Sequence, residues 1–167
     1  LTPETKFVTE VGEVKTAVEQ IGLPVFIKGA IQSHKKAGWD ACVAKTVTEA
    51  EQIAADLLEI YALSMGSVAI RQLVPLRKGP MFGNFPSARE FRLSLFRGRV
   101  VGRSHYWPKD KSLPELNDDE IKIVNQLASE AARRVNVPLL AVDVAQLESG
   151  QWIVVEIGDL QSAGLIE

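Results

Sequence analysis

Leu139–Leu165 reads LLAVDVAQLESGQWIVVEIGDLQSAGL, and two apolar runs in it flank Ser149-Gly150. β-Branched residues on both sides of such a dipeptide predict a β-hairpin. If Ser149-Gly150 forms a two-residue turn, Asp143 lies directly opposite Glu156. Opposed side chains are roughly 4.5–5.5 Å apart at Cβ, and like charges repel there. The hairpin therefore places two acids side by side in otherwise apolar strands.

Two neighbouring carboxylates in an apolar setting need a cation or a proton between them, because burying unpaired charge is costly. Asp159 follows Gly158, where the second strand should end. Three acids at a strand end favour a hard divalent cation, most simply Mg²⁺, with oxygen ligands. In the alternative, Asp143 lies on a solvated face and Glu156 pairs with a lysine. The apolar flanks of both acids favour the metal, although a one-residue shift of the turn would break the pairing.

The composition is ordinary for a soluble globular protein. The 167 residues are 46% apolar and 24% charged, which suits one domain or two small lobes. The net charge of −2 indicates no strong field for nucleic acid or membrane, although a local basic patch is compatible with this total. No apolar run approaches the roughly 18 residues of a membrane span, and no signal peptide is visible. The chain begins at Leu1 without methionine, which is typical of a fragment or a trimmed chain.

The single cysteine, Cys42, cannot form an internal disulfide, and this fits a reducing cytoplasm. Its neighbours are Ala41 and Val43, so a buried small residue is favoured over a nucleophile. The sequence therefore predicts a cytoplasmic protein without a catalytic thiol.

Hydrophobic periodicity predicts two successive α+β segments, joined at 75–88 by a mobile or lobe-to-lobe connection rich in proline and glycine. Thr48 and Glu51 form a capping box, and Asn117 caps the last helix. The predicted fold class is α+β, with lobes 1–74 and 75–167 and mainly antiparallel sheets. The predicted elements are helix 9–21, strands 23–28 and 39–44, a helix from Thr48, strand 67–74, strands 90–96 and 100–106, a helix from Asn117, and the final hairpin.

Basic residues interrupt two apolar strands of the first lobe, at Lys28 and Arg71. A solvated lysine and a cross-sheet salt bridge are the ordinary explanations. The loop 29–38 follows Lys28 and carries Ser33-His34-Lys35-Lys36 between two glycines. Its spacing is not that of a Walker loop, and alone it is more typical of a solvated basic turn than of a phosphate loop.

A mostly cationic face is expected on the hairpin at 90–106. Alternation places Glu90 and Arg92 away from the apolar face, and the partner strand is expected to supply Arg103 and His105 to the same side. The alternatives are an exposed mixed-charge face and a site for carboxylate or phosphate. Combined with the basic loop and the acids, this face suits a magnesium-nucleotide held between the lobes.

These residues resemble the ATP-grasp superfamily, and most closely its bacterial clade named for one arginine and two lysines. The resemblance spans nearly the whole chain, and the order of the pieces is more specific than any one of them. The matching pieces are Pro24–Lys28 with the following loop, Ile70–Val74, Glu90–Arg92, Tyr106-Trp107, Val142–Ala145 and Val155–Asp159.

The resemblance implies an ATP-grasp fold with the nucleotide cleft between the lobes, and ATP and Mg²⁺ as ligands. Lys28 and the Ser33–Gly38 loop would hold phosphates, and the strand at 72–74 would be a hinge beside adenine. The implied nucleotide-binding residues are Lys28, Ser33, Lys35, Lys36, Gln72, Leu73 and Val74; the implied catalytic residues are Arg71, Arg92 and Arg103; the implied metal ligands are Asp143, Glu156 and Asp159.

The implied reaction is ATP-dependent ligation, in which a carboxylate is activated as an acyl phosphate for attack by an amine or thiol. Two residues depart from the family pattern: Gln32 stands where close relatives carry a lysine, and Gly158 replaces the asparagine of the usual metal-binding ending. A further N-terminal domain is usual in the family. The alternatives are a nucleotide-binding module without ligase activity and a ligase that modifies nucleic-acid or peptide ends. The substrate is expected to be a small-molecule or peptide carboxylate.

Overall fold

The computed structural model describes residues 2–107 and 113–160, and these fall into two compact units. The N-terminal unit contains Pro3–Val74 and Met81–Pro86. The C-terminal unit contains Pro75–Pro80 and the described residues from Ser87 onward, together with Thr2. The assignment of separate functional roles to lobes 1–74 and 75–167 stays a prediction.

Both compact units of the described chain contain helices together with strands, as the α+β prediction requires. In chain order the elements are β1 (Thr5–Val8), α1 (Val14–Ile21), β2 (Val25–Gly29), β3 (Val43–Ala44), α2 (Val47–Glu59), α3 (Tyr61–Ser64), β4 (Val68–Gln72), β5 (Lys78–Phe82), β6 (Phe85–Ala88), β7 (Glu90–Phe96), β8 (Arg99–His105), α4 (Asp118–Val135), β9 (Leu139–Gln146) and β10 (Trp152–Gly158).

The N-terminal unit is a four-stranded antiparallel sheet, β1-β4-β2-β3, with α1 and α2 on one face. Alternation along β2 sends Val25 and Ile27 into the core, where they pack with Leu57 of α2 and Ile70 of β4. The opposite face of the same strands therefore carries the residues between them.

The start of α2 differs from the prediction. Thr46 is the N-cap, its Oγ1 accepts the Glu49 N–H at 3.2 Å, and Glu49 Oε2 accepts the Thr46 N–H at 3.1 Å. The predicted box at Thr48 and Glu51 is wrong. The same residue pattern occurs twice in this stretch, and the helix uses the copy that directly follows β3.

Three segments have different structures from those expected. Only Val43 and Ala44 of the predicted strand 39–44 are extended, because the Cys42 and Val43 N–H groups donate back to the Trp39 carbonyl in a turn. β1 was not predicted. The segment 75–88, predicted as a lobe-to-lobe connection or a mobile loop, contains the two-stranded sheet β5–β6.

The C-terminal unit is an antiparallel sheet of order β10-β9-β7-β8 with α4 on one face. The predicted cap of α4 is confirmed, since Asn117 Oδ1 accepts the N–H groups of Asp119 at 3.1 Å and Glu120 at 2.9 Å. The buried residues of α4 are Val124, Ala128 and Ala132. No helix in the described part of the chain is long and apolar enough to span a membrane.

Candidate functional site: a charged row in the C-terminal sheet and a cationic face in the N-terminal sheet

A row of polar residues crosses the C-terminal sheet on the face away from α4. Glu156 lies opposite Asp143, Asp143 opposite Arg92, and Arg92 opposite Ser104. Directly opposed residues project from the same face of a sheet. The predicted opposition of Asp143 and Glu156 is therefore confirmed, and the row also contains Arg92.

The pairing of Asp143 with Glu156 arises from a turn and a bulge together. The turn has three residues, 148–150, because the Leu147 N–H donates to the Gln151 carbonyl at 2.8 Å. The predicted two-residue turn is wrong, and the pairing beyond the turn is offset by one residue. The register then shifts between Val154 and Glu156, and this β-bulge restores the predicted pair.

The cation beside Asp143 is the Arg92 guanidinium. Arg92 Nε donates to Asp143 Oδ1 and Nη2 donates to Oδ2, each at 2.8 Å. The two side chains are 16% and 3% exposed, so most of this bidentate pair is shielded from water. The guanidinium carbon also lies 5.1 Å from the Tyr106 ring centroid. These contacts fix Arg92 at the centre of the row.

The electrostatics of the row stabilise the charged form of Arg92. The hydrogen bonds to Asp143 raise the pKa of the Arg92 guanidinium above its usual range, although burial opposes this shift. The nearby carboxylate of Glu156 raises the pKa further. One guanidinium thus compensates two acids that would otherwise repel each other.

The predicted three-acid cluster is not formed. Among residues 2–107 and 113–160, no group of three or more His, Cys, Asp or Glu side chains could hold a metal ion. Asp159 is exposed just beyond the end of β10. Of the three predicted ligands, Asp143 and Glu156 are directly opposed in the sheet. Two carboxylates fit Mg²⁺, which proteins commonly bind through one or two carboxylates plus phosphate oxygens and water.

Glu90 lies on the same face as the row, two positions before Arg92 on β7. It is buried, and its Oε2 accepts a hydrogen bond from Trp107 Nε1 at 3.0 Å. A buried carboxylate with an indole donor is held in one orientation. Glu90 and Arg92 therefore form a polar face here, as predicted.

Arg103 and His105 lie on the other face, so their predicted placement with Arg92 is wrong. They pair with Leu93 and Phe91, whose side chains pack in the α4 core. A register shift in the β7–β8 pairing, between Ser94 and Leu95, is the cause: without it Arg103 would face Arg92.

Arg103 instead belongs to the α4 side of the sheet. Its Nη1 donates to Asn125 Oδ1 at 3.3 Å. A continuous arginine stripe through Arg92, Arg97, Arg99 and Arg103 would favour binding of nucleic acid. Because Arg92 and Arg103 are on opposite faces, this stripe is not formed.

In the N-terminal unit, Lys28 and Arg71 share the sheet face away from the helices. Lys28 lies opposite Ala69, and Arg71 lies opposite Phe26, so the two basic residues are diagonal neighbours on adjacent strands. Lys28 is 7% exposed, and Arg71 Nε donates to Thr5 Oγ1 at 3.0 Å. The structure therefore gathers two of the predicted basic residues.

The loop after Lys28 is held at both ends. The Ile31 and Gln32 N–H groups donate to the Leu63 carbonyl at 3.0 and 3.1 Å, and the Trp39 N–H donates to the Asn84 carbonyl at 3.2 Å. Between these points, Lys35–Ala37 forms one 3₁₀ turn.

The predicted phosphate-binding side chains of this loop differ in exposure. Ser33 is half-buried and Lys36 is exposed. Lys35 Nζ lies 5.6 Å from the Phe85 ring centroid. The segment 81–86 thus supports the basic loop, a contact that no local pattern in the sequence signals.

Of the predicted hinge residues, Gln72 is the last residue of β4, and Leu73 and Val74 follow the strand. The Gln72 N–H donates to the Glu4 carbonyl at 2.9 Å, and the Leu73 N–H donates to the Pro24 carbonyl at 3.4 Å. Val74 is half-buried at the end of the main segment of the N-terminal unit. Leu73 lines a cavity of about 310 Å³ within this unit, together with Leu23, Pro24, Trp39, Val43 and Lys45.

Cys42 is fully buried, and burial raises the pKa of its thiol to about 11. The thiolate is the reactive form of cysteine. The prediction that Cys42 is buried is therefore confirmed, and the raised pKa disfavours the reactive thiolate.

Arg89 was missed by the sequence reasoning. It is 2% exposed and packs its guanidinium 5.1 Å from the Trp152 ring centroid. Alternation along β7 places Arg89 on the core side with Phe91, and a charged residue at a core position was the available signal. Its partners are Glu120, Gln146 and the carbonyls of Pro114 and Glu115.

Comparison with solved structures relates this fold to known proteins. The RimK domain protein ATP-grasp from Sphaerobacter thermophilus is 19% identical with a TM-score of 0.59; 95% of this chain and 52% of that one are covered. D-alanine–D-alanine ligase from Bacillus anthracis, complexed with ATP, is 15% identical in sequence and superposes with a TM-score of 0.64. The match covers 95% of this chain and 48% of the ligase. The ATP-grasp ligase PsnB, complexed with minimal precursor, Mg and ADP, is 15% identical in sequence and superposes with a TM-score of 0.52. The match covers 94% of this chain and 44% of PsnB.

These identities relate the fold alone, and the chain spans about half the length of these structures. No curated protein matches the chain. The model of an ATP-grasp domain family, the third family of the clade named for one arginine and two lysines, matches residues 4–167, nearly the whole sequence. The resemblance and the α+β ATP-grasp fold predicted from the sequence are both confirmed. The chain belongs to this third family of the arginine-and-two-lysines clade of ATP-grasp domains.

Proposed function

We propose that the chain binds Mg-ATP as part of an ATP-dependent ligase that activates a carboxylate for attack by an amine or a thiol. The observation that carries this proposal is the row in the C-terminal sheet, where Asp143 and Glu156 are opposed and Arg92 lies beside them. Carboxylates of this kind suit Mg²⁺, and an arginine suits phosphate.

In this proposal, the basic residues of the N-terminal unit bind the phosphates of ATP. Lys28 and Arg71 share one sheet face, and the loop carrying Ser33, Lys35 and Lys36 follows Lys28 directly. Cations placed where phosphate charge develops lower the barrier to phosphoryl transfer.

The adenine ring is assigned to the cavity beside Leu73. Its lining includes Pro24, Trp39 and Val43, which offer apolar and aromatic surface to a planar base. The cavity of about 310 Å³ lies at the low end of ordinary ligand sites, which suits one heterocycle rather than a whole nucleotide.

Asp143 and Glu156 would hold Mg²⁺ together with phosphate oxygens. When bound, this ion neutralises charge on the transferring phosphoryl group. Arg92 would bind the same group from the neighbouring strand, because a guanidinium fork matches phosphate oxygens as well as a carboxylate.

In the reaction, a carboxylate oxygen attacks the γ-phosphorus of ATP, and the bond to the β–γ bridging oxygen breaks to release ADP. The acyl phosphate is then attacked by an amine or thiol, and inorganic phosphate leaves. The protein supplies position and charge, since no nucleophilic side chain is required. The substrate class is a small-molecule or peptide carboxylate; structures of similar fold include a D-alanine–D-alanine ligase and a ligase complexed with a precursor peptide. A cytoplasmic location belongs to the same proposal.

Calorimetric titration of ATP, with Mg²⁺ and with EDTA, tests the nucleotide part of the proposal. We expect Mg-dependent ATP binding that is weakened about tenfold or more by Lys28→Ala. Lys15→Ala is the matched control, because Lys15 is 66% exposed on α1. Equal binding by both variants would contradict the assignment of Lys28.

Hydroxylamine trapping tests the ligase part. Candidate carboxylates are incubated with Mg-ATP and hydroxylamine, and the proposal predicts hydroxamate together with ADP. ATP binding without hydroxamate for a broad panel of small and peptide carboxylates would favour a nucleotide-binding module instead.

A further inference from the structure

The Arg92 guanidinium engages both carboxylate oxygens of Asp143. Nε and Nη2 each lie 2.8 Å from a different oxygen, and Glu156 is the next residue along the row. A metal ion that used the Asp143–Glu156 pair would therefore compete with a bidentate hydrogen-bonded cation that is already in place.

We propose that Arg92 prevents a divalent cation from binding to the Asp143–Glu156 pair unless a phosphate-bearing ligand binds with it. This inference rests on the proposed Mg-ATP function and adds a selectivity role for Arg92. Without nucleotide, the guanidinium takes the position of the cation and satisfies the acids. With nucleotide, it turns to a phosphate oxygen and releases Asp143.

The cost of binding a metal alone follows from the surroundings of Arg92. Its side chain is 16% exposed, and its guanidinium lies over the Tyr106 ring. Displacing it from Asp143 would leave a largely desolvated cation without its carboxylate and next to a second cation. A phosphate removes that cost, because it accepts the same bidentate fork.

Metal and phosphate are therefore coupled through one side chain. Each ligand favours the arrangement in which Arg92 has left Asp143, so each raises the affinity of the other. A purely structural ion pair between Arg92 and Asp143 predicts no such coupling, although loss of the Arg92 charge raises metal affinity in either case.

Binding of Mn²⁺ alone, followed by electron paramagnetic resonance in the absence of nucleotide, measures how strongly Arg92 opposes metal binding. The wild-type chain is compared with Arg92→Gln and with Arg99→Gln, whose side chain is exposed on the neighbouring strand β8. We expect the Kd for Mn²⁺ to fall by about tenfold or more in Arg92→Gln and to stay unchanged in Arg99→Gln. The gain should disappear in the double variant Arg92→Gln/Asp143→Asn.

The coupling itself is measured from the ATP affinity of the wild-type chain and of Arg92→Gln, each with Mg²⁺ and with EDTA: we expect a smaller Mg²⁺ effect in Arg92→Gln, and an equal effect overturns the inference. Unchanged or weaker Mn²⁺ binding by Arg92→Gln, with a native circular dichroism spectrum, overturns the inference. If Arg92→Gln does not fold, Arg92→Lys takes its place, because it keeps the charge and loses the fork. A smaller gain of Mn²⁺ affinity is then expected, and no gain overturns the inference.

Titration of Mg-ATP into the wild-type chain separates the failure of this inference from failure of the proposed function. If Mg-ATP binds and Arg92→Gln gains no Mn²⁺ affinity, only the role of Arg92 is wrong. If Mg-ATP does not bind the wild-type chain, the proposed function fails, and the coupling fails with it.

Discussion

Arg89 Nη2 lies 2.8 Å from Glu120 Oε2, and this ion pair ties the start of β7 to the first turn of α4. The Arg89 side chain is 2% exposed and that of Glu120 is 16% exposed. We predict that Arg89→Met lowers the free energy of unfolding by about 3–5 kcal/mol, because it leaves the Glu120 carboxylate and two backbone carbonyls without this hydrogen-bond donor. Urea denaturation measures the loss. The control Arg134→Met removes an arginine that is 62% exposed and should change the stability little.

The same pair makes stability depend on pH. Hydrogen bonding to Arg89 lowers the pKa of Glu120 below its ordinary value of 4.5 in the folded chain. A carboxyl group whose pKa is lowered by folding stabilises above its unfolded pKa, and this contribution disappears as the pH falls through the folded value. The stability difference between the wild type and Glu120→Gln should therefore shrink from about pH 6 to about pH 3. A difference that stays constant over this range would contradict the pairing.

Arg92 and Asp143 should be strongly coupled in the ligand-free chain. Either Arg92→Met or Asp143→Leu leaves the other charge largely desolvated, whereas the double variant removes both charges. We expect the double variant to be more stable than the sum of the single losses predicts, by about 2 kcal/mol. The measurement is a double-mutant cycle in urea. Additivity would mean that the two side chains do not depend on each other in solution.

Gly29 is required by a close approach of two backbones. A Cβ at this position would lie 2.2 Å from the Leu63 carbonyl oxygen, which itself accepts the N–H groups of Ile31 and Gln32. Gly29→Ala must displace this carbonyl, and we predict a loss of about 2–3 kcal/mol with weaker ATP binding through the neighbouring Lys28. Gly12→Ala is the control, because no atom lies within 4 Å of its added Cβ. Thermal unfolding of both variants measures the difference, and equal losses would show that the clash is relieved.

Strand register explains why one pairing predicted from the sequence is correct and another is wrong. The pairing of Asp143 with Glu156 was predicted from a two-residue turn, and it holds because a bulge offsets the longer turn that forms. In the β7–β8 pairing a bulge is also present but nothing offsets it, and it moves Arg103 to the other face. Bulges depend on local backbone packing, so alternation alone does not locate them.

Contacts between residues that are far apart in the sequence could not be predicted either. Periodicity located α1, α2 and α4, and Lys28 and Arg71 were each predicted in an apolar strand, but the pairing of β2 with β4 that makes them neighbours was not predicted. The bidentate contact of Arg92 with Asp143 joins residues 51 positions apart. The support of Trp39 by Asn84 likewise depends on how a distant segment returns to the loop. Such contacts follow from the folded topology rather than from any local pattern.

The most direct test of the central claim is calorimetric titration of ATP into the wild-type chain and Glu156→Ala, each with Mg²⁺ and with EDTA. Glu156 is half-buried opposite Asp143, and both hydrogen bonds of the Arg92 fork go to Asp143 rather than to Glu156. The account predicts ATP binding to the wild type that Mg²⁺ strengthens, and the loss of most of this Mg²⁺ effect in Glu156→Ala. ATP affinity that does not respond to Mg²⁺, or that responds equally in both chains, would contradict a metal-nucleotide site on this row.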